Sequence, residues 1–534
     1  MTAESTSPAG QAGPDYPETI DRPVLVVAGV IVLGSIMSIL DVTVVSVALP
    51  TFAREFDATL ATVAWTMTAY TLALATVIPV TGWAADRFGT KRLYLTALVL
   101  FTAGSMLCAV ADSIEMLVLF RVLQGLGGGM LMPLGMTILT RAAGPKRIGR
   151  LMAILGIPML LGPISGPILG GWLIDALTWH WIFLINLPIG LVTLVYAWKA
   201  LPSDAPEPSE KFDVIGMLLL SPGLALFLFG VSSIAESGEG ASFGPRVWVS
   251  ATIGALLVAA FVRYSFIPKN PLVDLRLFSN RNLTVASITM FVFGVAFMGA
   301  GLLFPSYFLQ VRGESTLSAG LLIAPQGLGA MVMMPLAGAL ADKIPVGRTV
   351  PFAIAIMAAG FAGFAQLGPD TSYWFLGASL FVMGLGMGGT MMPVMTAALR
   401  TLTHHEVARG STLFNIIQQV AGSVGAAVMS VILTTELGKS TEVPGLANPE
   451  TGKELTEAEI AIASQMSPDA IDPATLPPGL IERGLDFAAG AFSTTFTVAL
   501  VLVLVTIVPA LFLPRKREES HLLDDEGLPP IVMH

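Results

Sequence analysis

The sequence predicts an all-α polytopic membrane protein: two six-helix bundles, two helices inserted between them, and both termini in the cytoplasm. Three observations lead there. The 534 residues are 54% hydrophobic and only 12% charged, about half the charge that clothes an ordinary soluble domain, and the mean hydropathy is +0.77. Fourteen apolar runs are long enough to cross a bilayer. The basic residues gather on alternate connections, as a fixed orientation requires.

The runs lie at 24–48, 61–81, 93–110, 114–139, 149–173 and 181–201, then at 214–234 and 247–267. Six more follow at 283–308, 318–341, 350–367, 374–399, 409–435 and 487–512. Each is continuous rather than alternating, which selects helices over the strands of an outer-membrane barrel. Residues 1–22 are rich in Pro, Gly, Ser and Thr and hold no apolar stretch, so they are expected as a disordered cytoplasmic tail rather than a cleaved signal. With that tail inside, 21 of the 28 Lys and Arg fall on the cytoplasmic side, six fall on the outer side, and Arg121 is left inside a helix. The expected units are an N-terminal bundle at 23–201, the inserted pair with its loops at 202–282, a C-terminal bundle at 283–513 and a cytoplasmic tail at 514–534. An acidic external loop is expected at 436–486, with a short helix near 456–466.

An internal repeat supports the duplication. Gly82 and Asp86 recur as Gly338 and Asp342, a shift of 256; Gly128-Gly129 and Pro133 recur as Gly388-Gly389 and Pro393, a shift of 260. Duplicated six-helix halves are the architecture of many secondary transporters, whose substrate site lies between the halves.

The same numbers exclude other classes. A net charge of −9, from 28 basic and 37 acidic residues, argues against a nucleic-acid partner. The single cysteine, Cys108, offers no disulfide framework, and the adjacent pair His404-His405 is a poor chelating geometry, so no metal site is expected. The sequence carries no Walker loop, no HExxH and no Gly-x-Ser-x-Gly elbow, so it reads as a non-enzyme without cofactor.

Two charges remain inside the bilayer. Asp41 lies about 25 Å along the first run, in a core about 30 Å thick, and Arg121 about 10 Å below the outer surface. Both therefore fall in the outer half. Each costs about 2.5–3.5 kcal/mol on an isolated helix, so they are expected to pair or to face a wet cavity. A buried carboxylate is also the simplest proton carrier, because burial favours its neutral form and a guanidinium its ionised form. A static pair that orders two helices is the alternative.

The motifs resemble one family. Leu40-Asp41-Val42-Thr43 through Pro50 is similar to the first-helix signature of the fourteen-helix drug:proton antiporters, the EmrB/QacA-type branch of the major facilitator superfamily. Gly82, Asp86, Arg87, Gly89, Lys91 and Arg92 resemble that superfamily's gating motif between its second and third helices, and Arg121 through Gly127 its fourth-helix motif. Gly162, Pro163, Gly166, Pro167 and Gly170 resemble the antiporter motif of the fifth helix. Trp179 through Gly190 resembles the approach to the sixth. The resemblance implies the superfamily's fold, a cytoplasmic latch in the gating motif, and proton coupling through Asp41 and Arg121.

Physical reasons stand beside these likenesses. Gly82 permits close helix contact, Gly89 a turn with positive φ, and Asp86 suits a helix N-terminus. The glycines of the fifth run recur every four residues as a smooth seam. Ser46 stands where the family usually has Asn, and Gln418 where Arg is common. The tenth run holds Gln326 and no acid, where some family members place a second acidic group, so the resemblance argues against a preference for dications and leaves monovalent or neutral lipophiles open. Candidate cavity residues are Trp65, Tyr70, Tyr307, Gln326, Asn415, Gln418 and Gln419, with methionines Met331, Met333, Met334, Met391, Met392 and Met395 as adaptable surface. The function expected is proton-coupled export of amphiphilic compounds from the cytoplasm or inner leaflet by alternating access, driven by the proton gradient across a bacterial cytoplasmic membrane. Export of an endogenous lipid or metabolite is the alternative. Expected partners are the bilayer, protons, a small amphiphile and a periplasmic adaptor, with a monomer as the working unit.

Overall fold

A computed structural model describes residues 21–58, 60–143, 147, 151, 162, 165–166, 168–174, 176–202, 212–236, 245–341, 343–403, 406–437, 439 and 480–516. The first four runs become α1 (Arg22–Glu55), α2 (Leu60–Phe88), α3 (Thr90–Cys108) and α4 (Ile114–Ala143). The fifth is described only at 151, 162, 165–166 and 168–173, helical at each. The sixth is split into α5 (Trp181–Leu184) and α6 (Asn186–Ala200); the inserted pair is α7 (Val214–Glu236) and α8 (Pro245–Tyr264). A 3-10 turn at Leu275–Ser279 precedes the second half, which holds α9 (Arg281–Ala300), α10 (Leu303–Gln310), α11 (Thr316–Ala341), α12 (Val346–Phe364), α13 (Tyr373–Arg400), α14 (Glu406–Leu437) and α15 (Leu480–Ala510).

Thirteen helical stretches among the described residues are long and apolar enough to cross a membrane. The chain is a multi-pass membrane protein. Besides the split of the sixth run at Ile185, two further expectations are corrected. The run 283–308 breaks at Gly301 and Leu302, where glycine's low helix propensity permits a turn that hydropathy does not register. The run 24–48 continues past Pro50 to Glu55, its last turn carrying Arg54 where the helix dipole favours a cation. The greater part of both tails, the expected helix at 456–466, Pro163, Pro167 and Asp342 lie outside the described residues.

The two halves pack in the same internal order. Within the first, α4 lies against both α2 and α3; within the second, α13 lies against both α11 and α12. The repeated glycines make these crossings. A methyl at Gly129 would sit 2.8 Å from the carbonyl oxygen of Leu74 on α2, and one at Gly388 would sit 2.8 Å from that of Ala330 on α11. Contact between the halves runs through α14, which packs on α2 and α4. The inserted helices pair with each other, and α7 covers the seam by touching both α2 and α14.

Candidate functional site

Asp41 on α1 and Arg121 on α4 meet as a buried ion pair, Arg121 Nη1 donating to Asp41 Oδ2. Both residues are 2% exposed or less. The other carboxylate oxygen accepts from Gln124 Nε2 at 2.7 Å and from Asn186 Nδ2 at 3.3 Å. Arg121 Nη1 also donates to Gln124 Oε1 at 2.8 Å, and its Nε donates to the Thr66 carbonyl at 3.0 Å. Its guanidinium also lies 4.1 Å from the centre of the Tyr70 ring, a geometry that favours a desolvated cation. A charge in a low-dielectric interior survives only when paired and hydrogen-bonded, and the two charges meet that requirement here with Thr66 and Tyr70 of α2, Gln124 of α4 and Asn186 of α6. Asn186 donates onward to Ser105 Oγ at 3.1 Å, which fixes the amide.

In front of this network lies a cavity of about 610 Å³ between the two halves. Ser38, Val42 and Thr43 of α1 and Gly128 and Met132 of α4 form one wall; Gln326, Asn415, Gln418 and Gln419 face them with Phe293, Phe297 and Phe304. Asp41 is not among the lining residues; it sits behind the wall. The link between the two is Tyr70, whose hydroxyl lies 3.1 Å from Ser38 Oγ.

Four candidate cavity residues, Gln326, Asn415, Gln418 and Gln419, do line the cavity. Three do not. Trp65 is 44% exposed and stacks at 5.4 Å on Phe229 of the inserted helix α7. Tyr70 is the shelf beneath Arg121. Tyr307 is buried, donates to the Gly368 carbonyl at 2.9 Å and packs on Phe492. Of the six candidate methionines only Met391 reaches the cavity, which instead draws on Met132, Met290, Met298 and Met387. Gln124 and Asn186 were legible only as members of motifs. The signal that finds them is an amide within an apolar run, since such a group needs a partner where water is absent.

The gating residues gather at one end of the bundle. Gly89 adopts φ 85° ahead of α3. Gly82 leaves room for α14: a methyl there would stand 3.1 Å from Thr412 Oγ1. Asp86 lies 3.6 Å from Arg141 at the end of α4 and 3.8 Å from Arg409 in the first turn of α14. Lys91 donates to the Leu201 carbonyl at 2.6 Å, closing α3 onto the end of α6, while Arg87 and Arg92 are exposed. The glycines of the fifth run face α1. A methyl at Gly162 would lie 2.1 Å from Ile39 Cγ2, one at Gly166 2.0 Å from Thr43 Oγ1, and one at Gly170 3.2 Å from Val44 Cγ1.

Residues 31–426 match the Major Facilitator Superfamily. The chain is 49% identical over 516 residues to the multidrug resistance protein B homolog of Mycobacterium tuberculosis, covering 95% of this chain and 93% of that one. It is 30% identical over 406 residues to the multidrug export protein EmrB of Escherichia coli, covering 75% and 78%. Among solved structures, the human organic anion transporter MFSD10 superposes with a TM-score of 0.57 at 16% identity, over 90% of this chain and all of that one. The proton:xylose symporter XylE superposes with a TM-score of 0.56 at 13% identity, over 90% and 95%. These two likenesses concern the fold. The chain belongs to the major facilitator superfamily, in its EmrB-type branch.

Proposed function

We propose that the protein is a proton-coupled exporter that moves amphiphilic compounds out of the cytoplasm or inner leaflet by alternating access, in a bacterial cytoplasmic membrane. The observation that carries this reading is the buried Asp41–Arg121 pair, with its amide partners Gln124 and Asn186, standing one residue layer behind a central cavity. Bacterial relatives named for multidrug resistance and multidrug export support the direction and the cargo.

In this mechanism a proton delivered to Asp41 removes the carboxylate charge that holds Arg121. The guanidinium keeps Thr66, Gln124 and the Tyr70 ring, so α4 and α2 retain it while α1 is released. Because α1 forms one cavity wall and packs on the glycines of the fifth run, its release reaches the substrate site and the rocking seam together. The proton gradient supplies the drive. The cavity takes its lining from both halves of one chain, which supports a monomer as the working unit.

The test is dye extrusion from cells or energised vesicles. Extrusion should be abolished by an uncoupler, and Asp41→Asn should lose it while still inserting in the membrane. Removing one partner of a buried pair costs about 3–5 kcal/mol, so insertion and thermal midpoint are measured beside transport, and Asp41→Glu, which retains a carboxylate, should keep part of the activity. Full extrusion by Asp41→Asn overturns the coupling role.

A further inference from the structure

We infer that Ser105 of α3 is a positioning residue for proton coupling. It turns the Asn186 amide so that an N–H faces Asp41, and together with Gln124 this leaves a protonated Asp41 without an acceptor in this conformation. The inference deepens the exporter reading and rests on it.

No residue of α3 is among the described lining of the cavity, yet one face of this helix backs the ion pair. Gly104 lets α4 come close: a methyl there would stand 2.7 Å from the backbone nitrogen of Gln124. One turn on, Cys108 Sγ lies 3.6 Å from Gln124 Oε1. Between them Ser105 is fully buried. A serine within a helix commonly returns its hydroxyl to a carbonyl one turn back. Ser105 instead donates across to the Phe183 carbonyl at 2.9 Å, beside the break that divides α5 from α6.

The direction of each bond follows. A backbone carbonyl only accepts, so the Ser105 proton is committed to Phe183 and Oγ presents its lone pairs to Asn186. Asn186 Nδ2 donates there at 3.1 Å, and it donates also to Asp41 Oδ1 at 3.3 Å. Gln124 is oriented from the other side. Arg121 has donors only, so Gln124 Oε1 faces its Nη1 at 2.8 Å and Gln124 Nε2 faces Asp41 at 2.7 Å. Each described hydrogen-bond partner of the carboxylate is therefore a donor, Arg121 included.

A carboxylic acid brings an O–H of its own, and a buried donor without an acceptor is unfavourable. A proton on Asp41 is accommodated only when the amides or the helices move, which ties protonation to a change of conformation. Without the Ser105 hydroxyl, the Asn186 amide is free to turn its oxygen to Asp41 and accept that proton in place. The ionisable groups facing Asp41 are Arg121 on α4, Tyr70 on α2 and Cys108 on α3. The stretches 151–174 and 181–195 contain none, and 23–53 contains Asp41 alone.

The experiment uses the purified full-length chain with nitroxide labels on Lys199→Cys and Ile344→Cys, exposed positions at the gating-motif end of the two halves. Native Cys108 is buried and takes little label. Pulsed electron spin resonance reads the distance between the labels. From pH 8 to pH 5 the longer-distance population of the otherwise wild-type chain should grow about fivefold. Ser105→Ala should cut that growth to about twofold, Ser105→Thr, which keeps a hydroxyl, should retain it, and Asp41→Asn should abolish it. Thermal midpoint and affinity for Nile red, a neutral lipophilic dye, are measured beside it. A merely structural role would lower both in Ser105→Ala and leave the pH response whole. A whole pH response in Ser105→Ala overturns the inference. Should the alanine variant fail to fold, the threonine variant decides, and a folded threonine variant without the response overturns it as well. The exporter reading fails separately. A pH response that survives Asp41→Asn overturns coupling through Asp41, and the role of Ser105 with it. A response lost in both Asp41→Asn and Ser105→Ala, with no Nile red extruded by energised vesicles, overturns export and leaves the positioning role standing.

Discussion

Tyr70 touches both the ion pair and the cavity wall, with its ring 4.1 Å from the Arg121 guanidinium and its hydroxyl 3.1 Å from Ser38 Oγ. Tyr70→Phe keeps the ring and loses only the hydroxyl bond, worth about 0.5–1.5 kcal/mol. Nile red affinity of the purified variant should therefore stay near that of the wild type, while uncoupler-sensitive extrusion slows several-fold. Extrusion at the wild-type rate would remove the hydroxyl from the coupling path. Asn186→Leu tests the other side of the network. It strips Asp41 Oδ1 to a single donor, Gln124, and leaves Ser105 Oγ without its amide. A loss of about 1–3 kcal/mol is expected, read as a lower thermal midpoint in detergent. Asp41 and Arg121 were legible in the sequence because a charge in an apolar run is too unfavourable to be incidental. Trp65, Tyr70 and Tyr307 were not, because a helix that is apolar all round carries no face signal. The residue type told that each was aromatic, and only packing told that Trp65 meets an inserted helix, Tyr70 a guanidinium and Tyr307 a loop carbonyl.

Helix pairs here are held at distances that only glycine permits. In α13, a methyl on Gly384 would fall 2.0 Å from the carbonyl oxygen of Gln326 on α11, whereas a methyl on Gly171 in the fifth run would meet nothing within 4 Å. Alanine gains about 1 kcal/mol of helix propensity over glycine at either site, so the pair of variants separates packing from propensity. Gly384→Ala should lower the thermal midpoint and the monodisperse fraction on size exclusion, and should weaken Nile red binding because Gln326 lines the cavity. Gly171→Ala should match or exceed the wild type. Equal behaviour of the two would mean that α11 and α13 do not need their close approach. Gly128-Gly129 and Gly388-Gly389 were legible as a repeat between the halves, though Gly384 was not, and most helix positions were legible too, since composition alone separates apolar runs from polar connections. The break between α9 and α10 was not legible: residues on both sides are equally apolar, and hydropathy is blind to a backbone turn at Gly301 and Leu302.

Across the whole molecule, one helix carries most of the contact between the halves. At the end that holds the gating motif, α14 meets α2 at Gly82 and shares Asp86 with α4, through Arg409 at 3.8 Å and Arg141 at 3.6 Å. The cavity reaches toward the opposite end, where Pro305, Leu309 and Ala319 line it. The halves are therefore closed at the motif end in this conformation, and the question is what keeps them closed. Partly exposed ion pairs contribute about 0.2–1 kcal/mol each, which corresponds to a shift in population of about fivefold at most for one pair. Packing at Gly82 and Thr412 supplies a contribution that salt does not screen. The two are separable by thiol labelling, because the native Cys108 is buried and gives little background. Ala408, on the contact face of α14, is 1% exposed, so Ala408→Cys should be protected in an otherwise wild-type chain. Adding Asp86→Asn should raise its labelling by a membrane-impermeant reagent applied at the motif end about threefold to tenfold. Raising the salt should move the chain with Asp86 intact in the same direction, since the Debye length falls from about 10 Å at 0.1 M to about 3 Å at 1 M. If neither change exposes the cysteine, packing alone closes this end; Asp86 would then act on the open state, which labelling after substrate addition would reveal.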